Sequence, residues 1–460
     1  MVMNRSLSPP YRAAALACSL LIGLNLLKGA LGVLVAGALI VAIGKRLGAP
    51  RVLLPIVVFG LPFLTATATL VGLTPTAFVI AINLILVLLV IRNLPLLLSR
   101  PSYRGVQRFL IWWFSFLLVY SIFSIIEGGS DYRVFTLQYL LIYGTFYSLA
   151  GVLVIRYEVS LFETMVVGLP LFAFHYWLLA ASPISLSVMA NPVIGLRGNE
   201  GFDPINGART AGLMLLTPLI VFATERRNIR WVPEFGAAIV LSAPLVWYSY
   251  TRQVFVAVIL VVLWMFALMM LSRRREGESL VRRLTALGLM CVIIATSALL
   301  VMSLLQGDTQ SRLLQEGLET DRTVLWRASL ALIADHPVIG AGIGEFQRRG
   351  LGEWPHNWFI EAWLVLGLPG LLLTIIGTVV FLNALLRRRH GWVAAWLPLG
   401  LYWLIVAQFS ADIARNSQLF FFMAFGFYAT AWVYQSPGVE YPDAAATRLP
   451  LRGPEPDSRR

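Results

Sequence analysis

From residue 52 to residue 434 the chain repeats one pattern about twelve times: roughly 20 mostly apolar residues, then a short polar break. A hydrocarbon layer about 30 Å thick is crossed by roughly 20 helical residues at about 1.5 Å each, so the pattern predicts helices that span a membrane. The runs fall near 52–72, 76–95, 108–127, 136–155, 161–182, 209–224, 231–249, 253–271, 283–305, 357–384, 392–411 and 418–434. Ahead of them the apolar stretch from Ala13 to Ile43, with Lys28 in its middle, adds one helix or a tight pair. The expected fold is all-α: a polytopic transmembrane helical bundle of about 12 to 14 spans. No stretch alternates at period two between turn signals, which argues against an outer-membrane barrel.

Hydrophobic residues make up 58% of the chain and charged residues 13%, a balance far from that of a soluble domain. A net charge of +13 would suit nucleic acid if it lay along one exposed face, but the arginines cluster between apolar runs. No nucleic-acid partner is expected; the lipid bilayer is. Basic clusters occupy alternate breaks: "GKRLGAPR" at 44–51, Arg92 to Arg108, Arg156, "ERRNIR" at 225–230, "SRRREGESLVRR" at 272–283 and "RRRH" at 387–390. The positive-inside rule puts these on the cytoplasmic side. The tips near 73 and 250, and residues 127–135, 183–208, 306–355 and 411–417, then face outward. The opening "MVMNRSLSPPYR" is followed by no small-residue cleavage site, so residues 1–51 read as an uncleaved N-terminal membrane segment. Cys18 and Cys291 lie inside apolar stretches far apart in sequence, where packing accounts for both.

The chain thus divides into that N-terminal part, transmembrane helices over 52–305, a long outer loop over 306–355, C-terminal spans over 356–434, and a tail over 435–460. The tail is proline-rich and polar, and is expected to be disordered in the cytoplasm. The outer segment 183–208 is rich in Gly, Asn and Pro and reads as irregular. The loop 306–355 holds a helical pattern, "DRTVLWRASLALIADHP", with Asp321 or Thr323 available as N-cap and Pro337 just past its end. A loop of this length is more often functional than idle.

Four ionisable residues fall at the outer mouth: Arg209 in "ARTAGLML", Arg252 in "YSYTRQVFVAV", Arg322 in "DRTVLWRA" and His356 in "PHNWFIEAW". Each has a plainer reading. A lone arginine at a span end commonly snorkels to the interface, and Arg322 has Asp321 beside it as a local partner. Arg252 is harder to dismiss, since it stands on the side that arginine avoids, at a tip with almost no loop. His356 follows Pro355, a residue suited to a first helical turn, so its ring should stand near the positive end of the helix dipole. That position disfavours imidazolium and leaves a neutral imidazole able to take a proton; the plain alternative is an interfacial histidine at a helix start. His175 lies within a span, His336 precedes Pro337 and His390 belongs to a basic cluster. Asn357 and Glu361 are four apart and share a helix face, while Glu361 is about 140° round from His356 and so supports Asn357 or a neighbouring helix. Both join Arg209 as substrate-binding candidates; Glu361, ionisable inside a span, is a functional candidate by default, with a protonated or hydrogen-bonded structural role as the plain alternative. The glycines of "GAGIGEF", 340–346, offer backbone amides for a phosphate, though without dinucleotide spacing.

The ordered set "TRQ", "DRTVLW", "HPVIGAGIGEF" and "PHNWFIEAWLVLGLPG" resembles the O-antigen ligase and polymerase family of membrane glycosyltransferases, chiefly over residues 205–375. The resemblance implies a glycan donor linked to polyprenyl pyrophosphate and a periplasmic active face on a bacterial inner membrane. It implies that Arg252 and Arg322 hold the pyrophosphate, that His356 activates the acceptor hydroxyl, and that Arg209 assists. Arginine as the main catalyst with His356 as a phosphate contact is the other assignment. Guanidinium groups could stand in for a metal, and no compact Asp-rich cluster of the kind magnesium favours appears on this face, so neither metal nor cofactor is expected. Direct attack on the anomeric carbon would invert it. The acceptor stays open between lipid A core, a repeat unit on its lipid carrier, and a protein side chain. A polysaccharide or lipid-linked glycan flippase is the competing class, although neither internal repeats nor midplane charges stand out.

Overall fold

The computed structural model describes residues 9–23, 29–59, 75–126, 131–181, 204–224, 232–248, 252–271, 288, 321–352, 354–387, 392–409, 413–414 and 416–435. The expected span 283–305 apart from residue 288, most of 183–208, residues 306–320, Lys28, Cys291, His390 and the tail beyond Gln435 lie outside them. Among the described residues every regular element is helical. We number the α-helices α1 (Pro9–Gly23), α2 (Gly29–Leu47), α3 (Ala49–Phe59), α4 (Pro75–Ser99), α5 (Arg104–Ile126), α6 (Asp131–Tyr139), α7 (Thr145–Tyr157) and α8 (Leu161–Ala181). They continue as α9 (Pro204–Thr224), α10 (Val232–Tyr248), α11 (Arg252–Leu271), α12 (Asp321–Asp335), α13 (Glu345–Arg348), α14 (Trp358–Arg387), α15 (Trp392–Ala407) and α16 (Gln418–Gln435).

Five described stretches are long and apolar enough to cross a membrane: Ile80–Ser99, Pro101–Ser124, Val134–Tyr157, Gly207–Thr224 and Trp358–Arg387. Shorter apolar helices such as Leu161–Ala173, Gln253–Leu268 and Gln418–Ala431 pack among them. The stretch from Ala13 to Ile43 resolves as the tight pair α1 and α2. The span expected over 136–155 is found as Val134–Tyr157, with a π-helical turn at Leu140–Gly144 joining α6 to α7 within it. Asn83 of α4 donates its side-chain amide at 2.7 Å to Ile142 O in this turn, a carbonyl that also accepts the Thr145 amide.

The last helix, α16, is the hub, packed against α5, α7, α14 and α15. Missing side chains permit this closeness: a Cβ on Gly105 of α5 would lie 2.4 Å from Tyr428 Cα, and one on Gly151 of α7 would lie 2.6 Å from Phe421 O. Around the start of α16 the rings of Trp112, Trp113, Phe116, Trp358 and Phe420 interlock, with Phe116 and Trp358 nearly parallel, 6.4 Å apart, and Trp113 4.4 Å from Phe420. Trp358 is the first residue of α14, so the cluster fixes where that helix begins.

Ion pairs mark one end of the bundle. Arg12, near the start of α1, pairs with Glu234 near the start of α10, and its guanidinium lies 5.9 Å from the ring of Phe162 at the start of α8. Arg51 of α3 pairs with Glu163 of α8 at 3.4 Å and reaches Tyr157 O. Arg156 donates to Asn93, which donates to the Tyr157 hydroxyl. The N-termini of α1, α3, α8 and α10 therefore meet at one end, where Arg51 and Arg156 of the basic clusters also stand. The residues added ahead of the main bundle are tied into it: α1 packs along α8 and also touches α10.

Candidate functional site

At the other end of the bundle α9, α14 and α15 meet. Asn357 donates to Gln408 O just past α15 at 3.5 Å, and Glu361, one turn into α14, accepts the amide of Ile413 at 3.1 Å. The two residues share a face, as their spacing predicts, and that face holds the segment between α15 and α16. Six residues before Gln408, Tyr402 donates its hydroxyl to Arg209 O at 2.9 Å, and the neighbouring Trp403 ring lies 5.9 Å from the Arg209 guanidinium. Arg209 is only 2% exposed. A side chain this deeply covered does not snorkel, so the plain reading of Arg209 is set aside.

The start of α14 differs from expectation. Pro355 and His356 precede the helix, which begins at Trp358. Asn357 is the cap: its Oδ1 accepts the amides of Phe359 and Ile360 at 3.1 and 3.0 Å. His356 sits before the cap with φ +57°, a left-handed backbone uncommon for anything but glycine. That turn folds its ring back towards Trp354, whose indole N–H donates to His356 Nδ1 at 2.8 Å with the rings 5.5 Å apart and edge to face. Trp354 is itself buried, beside Tyr120, Gly342, Phe346 and Glu361 around a small cavity.

Helix α12 brings the second arginine. Trp326 donates its indole N–H to Pro355 O at 2.8 Å, and half-buried Arg322, one turn earlier, shares that face of α12. Helix α10 runs from the ion-paired end to this one, and α11 starts four residues after α10 ends, which brings Arg252 to the same end. The Arg252 side chain lies outside the described residues, as does that of His175. Exposed His336 closes α12, and Pro337 follows it as expected.

The loop after α12 engages three of the backbone amides at 340–346 within the protein, those of residues 340–342. Helix α14 is broken at Gly367 (φ +61°, ψ −156°), and the segment 338–342 docks its backbone into the break. Leu364 O accepts Ala341 N at 2.7 Å and Gly342 N at 3.3 Å, while Leu368 N donates to Val338 O at 2.9 Å. The Gly340 amide closes on His336 O. These amides are spent on holding the loop to the span, and Trp363 reinforces the joint by donating to Pro337 O at 2.8 Å. Sequence reasoning missed Trp326, Trp354 and Trp363; a tryptophan one or two residues from the proline and histidine of "WPHN" was the available signal. Among the described residues no three of His, Cys, Asp and Glu come together as metal ligands would.

Residues 237–375 match the family model described as O-antigen ligase. The matched stretch runs from α10 to the middle of α14, holding Arg252, Arg322, His356, Asn357 and Glu361 but not Arg209. No curated protein matches the chain. Over residues 237–375 the chain is similar to the O-antigen ligase family, in agreement with its motifs from Arg322 to Gly370.

Proposed function

We propose that this protein is a glycosyltransferase that moves a glycan from a polyprenyl-pyrophosphate carrier to a hydroxyl acceptor, at the end of the bundle where Arg209, Arg322 and His356 stand. The family domain supports membrane glycan transfer, and the observation that carries the site is the burial of Arg209 beside the ties that join α12, α14 and α15. In the reaction the acceptor oxygen bonds to the anomeric carbon as the bond from that carbon to the phosphate oxygen breaks. The electron pair stays on the departing pyrophosphate, where charge gathers. Arg252 and Arg322 offer planar, bidentate donors to that charge without a divalent ion, with Arg209 behind them. A single displacement inverts the anomeric centre. The contacts of Asn357 and Glu361 are with the protein itself, so their part is to hold the site's floor.

Purified protein given a lipid-linked glycan donor and a panel of acceptors should form a new glycosidic bond in the presence of a strong chelator. Loss of activity restored only by a divalent ion would remove the guanidinium assignment, and glycan movement across vesicles without a new bond would make the protein a flippase. The acceptor that gains sugar separates ligase from polymerase.

We place this end on the periplasmic side of a bacterial inner membrane, because Arg51 and Arg156 mark the opposite end and basic residues stay cytoplasmic. Single cysteines at positions 200, 250 and 350 should react with an impermeant thiol reagent in intact cells, and those at 228, 275 and 388 should not. Labelling of the second set would reverse the orientation.

A further inference from the structure

We infer that Trp354 is a positioning residue that fixes the tautomer of His356, so that His356 serves the transfer reaction as a hydrogen-bond donor to the pyrophosphate through Nε2–H rather than as a base. Indole nitrogen has a hydrogen to give and no lone pair to offer, so the 2.8 Å contact has one direction: Trp354 donates and His356 Nδ1 accepts. A neutral imidazole carries one proton, and with Nδ1 accepting, that proton is on Nε2. Such a ring has no free lone pair with which to remove a proton from an acceptor hydroxyl. It does have a fixed N–H suited to a phosphate oxygen, and the positive end of α14 nearby also favours the neutral ring.

Several features hold the pair in this arrangement. Trp354 is buried against Phe346 and the glycine turn, so its N–H is not free to swing to solvent. Pro355, between the two rings, is anchored through its carbonyl by Trp326 of α12. Asn357, directly after, is locked as the cap of α14. Between these fixed neighbours His356 keeps a left-handed backbone disfavoured for a non-glycine residue, a strain typical of residues held for function. The acceptor's proton is given up to water on the face opposite the leaving group, and the departing pyrophosphate, whose newly freed oxygen carries the electron pair, takes a proton from solvent in turn. No further reactant is needed.

The inference rests on the proposed transfer reaction for what Nε2–H does, but the tautomer can be read without any turnover. In full-length protein with 15N-labelled histidine rings, the resonances that vanish in His356→Gln identify this residue. A pyridine-type Nδ1 and a pyrrole-type Nε2 are expected, and Trp354→Phe should abolish that bias. A pyrrole-type Nδ1 in the wild type would overturn the inference, whatever the protein's activity. Kinetics give the second arm, on folded protein. Glutamine can place an N–H near the Nε2 position but cannot take up a proton, so His356→Gln should keep kcat within about tenfold of wild type, while His356→Ala loses about tenfold to a hundredfold. Equal losses of about a hundredfold or more in both variants are the mark of a base and would refute the donor role. If the wild type forms no glycosidic bond while the tautomer is as stated, the reading of the function fails and the hydrogen bond stands.

Discussion

Arg252→Ala and Arg322→Ala should each reduce glycan transfer by at least about a hundredfold, the loss that follows removal of a fixed donor from a site where negative charge develops. Arg252 heads α11, and Arg322 stands one turn from the Trp326 contact that seats α12 on Pro355. Lysine should rescue either position poorly, since an ammonium keeps the charge but lacks the planar pair of N–H donors that fits two phosphate oxygens. The measurement is single-turnover transfer with donor binding followed separately. Arginines that hold the pyrophosphate lower both, whereas arginines that act on the leaving group alone lower the rate and spare the binding. Near-normal transfer in both alanine variants would end the proposed mechanism.

The largest expected loss of stability comes from Gly367→Val. At φ +61° and ψ −156° this position lies in backbone territory that only glycine occupies readily, and a Cβ there would sit 2.2 Å from Val338 O and 2.4 Å from Ile339 C. Both obstacles are backbone, and the opposing Gly340 has the same constraint, with Gly367 N 2.6 Å from where its Cβ would be. The valine variant should lose about 4 kcal/mol or more, seen as a collapse of the melting temperature of solubilised protein or as failure to accumulate folded. Gly236→Ala, within α10 with open space around it, is the control and should melt as the wild type does. An unchanged melting temperature in Gly367→Val would contradict the docked loop.

What could be read in the sequence was what repeats or lies close together. Apolar runs gave most helices to within a few residues, the pattern after Asp321 gave α12, and the spacing of Asn357 and Glu361 gave their common face. The π-helical turn was not legible, because the side chain that meets its carbonyl, Asn83, is some 60 residues away on another helix. Nor was the break at Gly367: Pro369 hints at a kink, but the carbonyl and amide it frees are taken up by residues 338–342, a pairing without periodicity. At the site the arginines and histidine were found as charges in an apolar setting. The start of α14 was placed to within a residue or two, but its cap was not: Pro355 signals a first turn, while Asn357 caps the helix with two hydrogen bonds and leaves His356 outside it. The role of Trp354 is a matter of which atom faces which, and only coordinates show that.

The central place of α16 bears on how the protein is made. This helix leaves the ribosome after the four it joins, and Gly105 of α5, which it touches backbone to backbone, is synthesised about 320 residues earlier. At roughly 5 to 20 residues per second, α5 waits about 15 to 65 s in the membrane for that partner. During the wait the faces that will receive Phe420, Phe421 and Phe427 are covered by lipid or by the insertion machinery, and the aromatic cluster that positions Trp358 is incomplete. Chains that terminate before α16 therefore lack the piece that joins α5, α7, α14 and α15, and membrane quality control meets an open ring of helices rather than a slightly shortened protein.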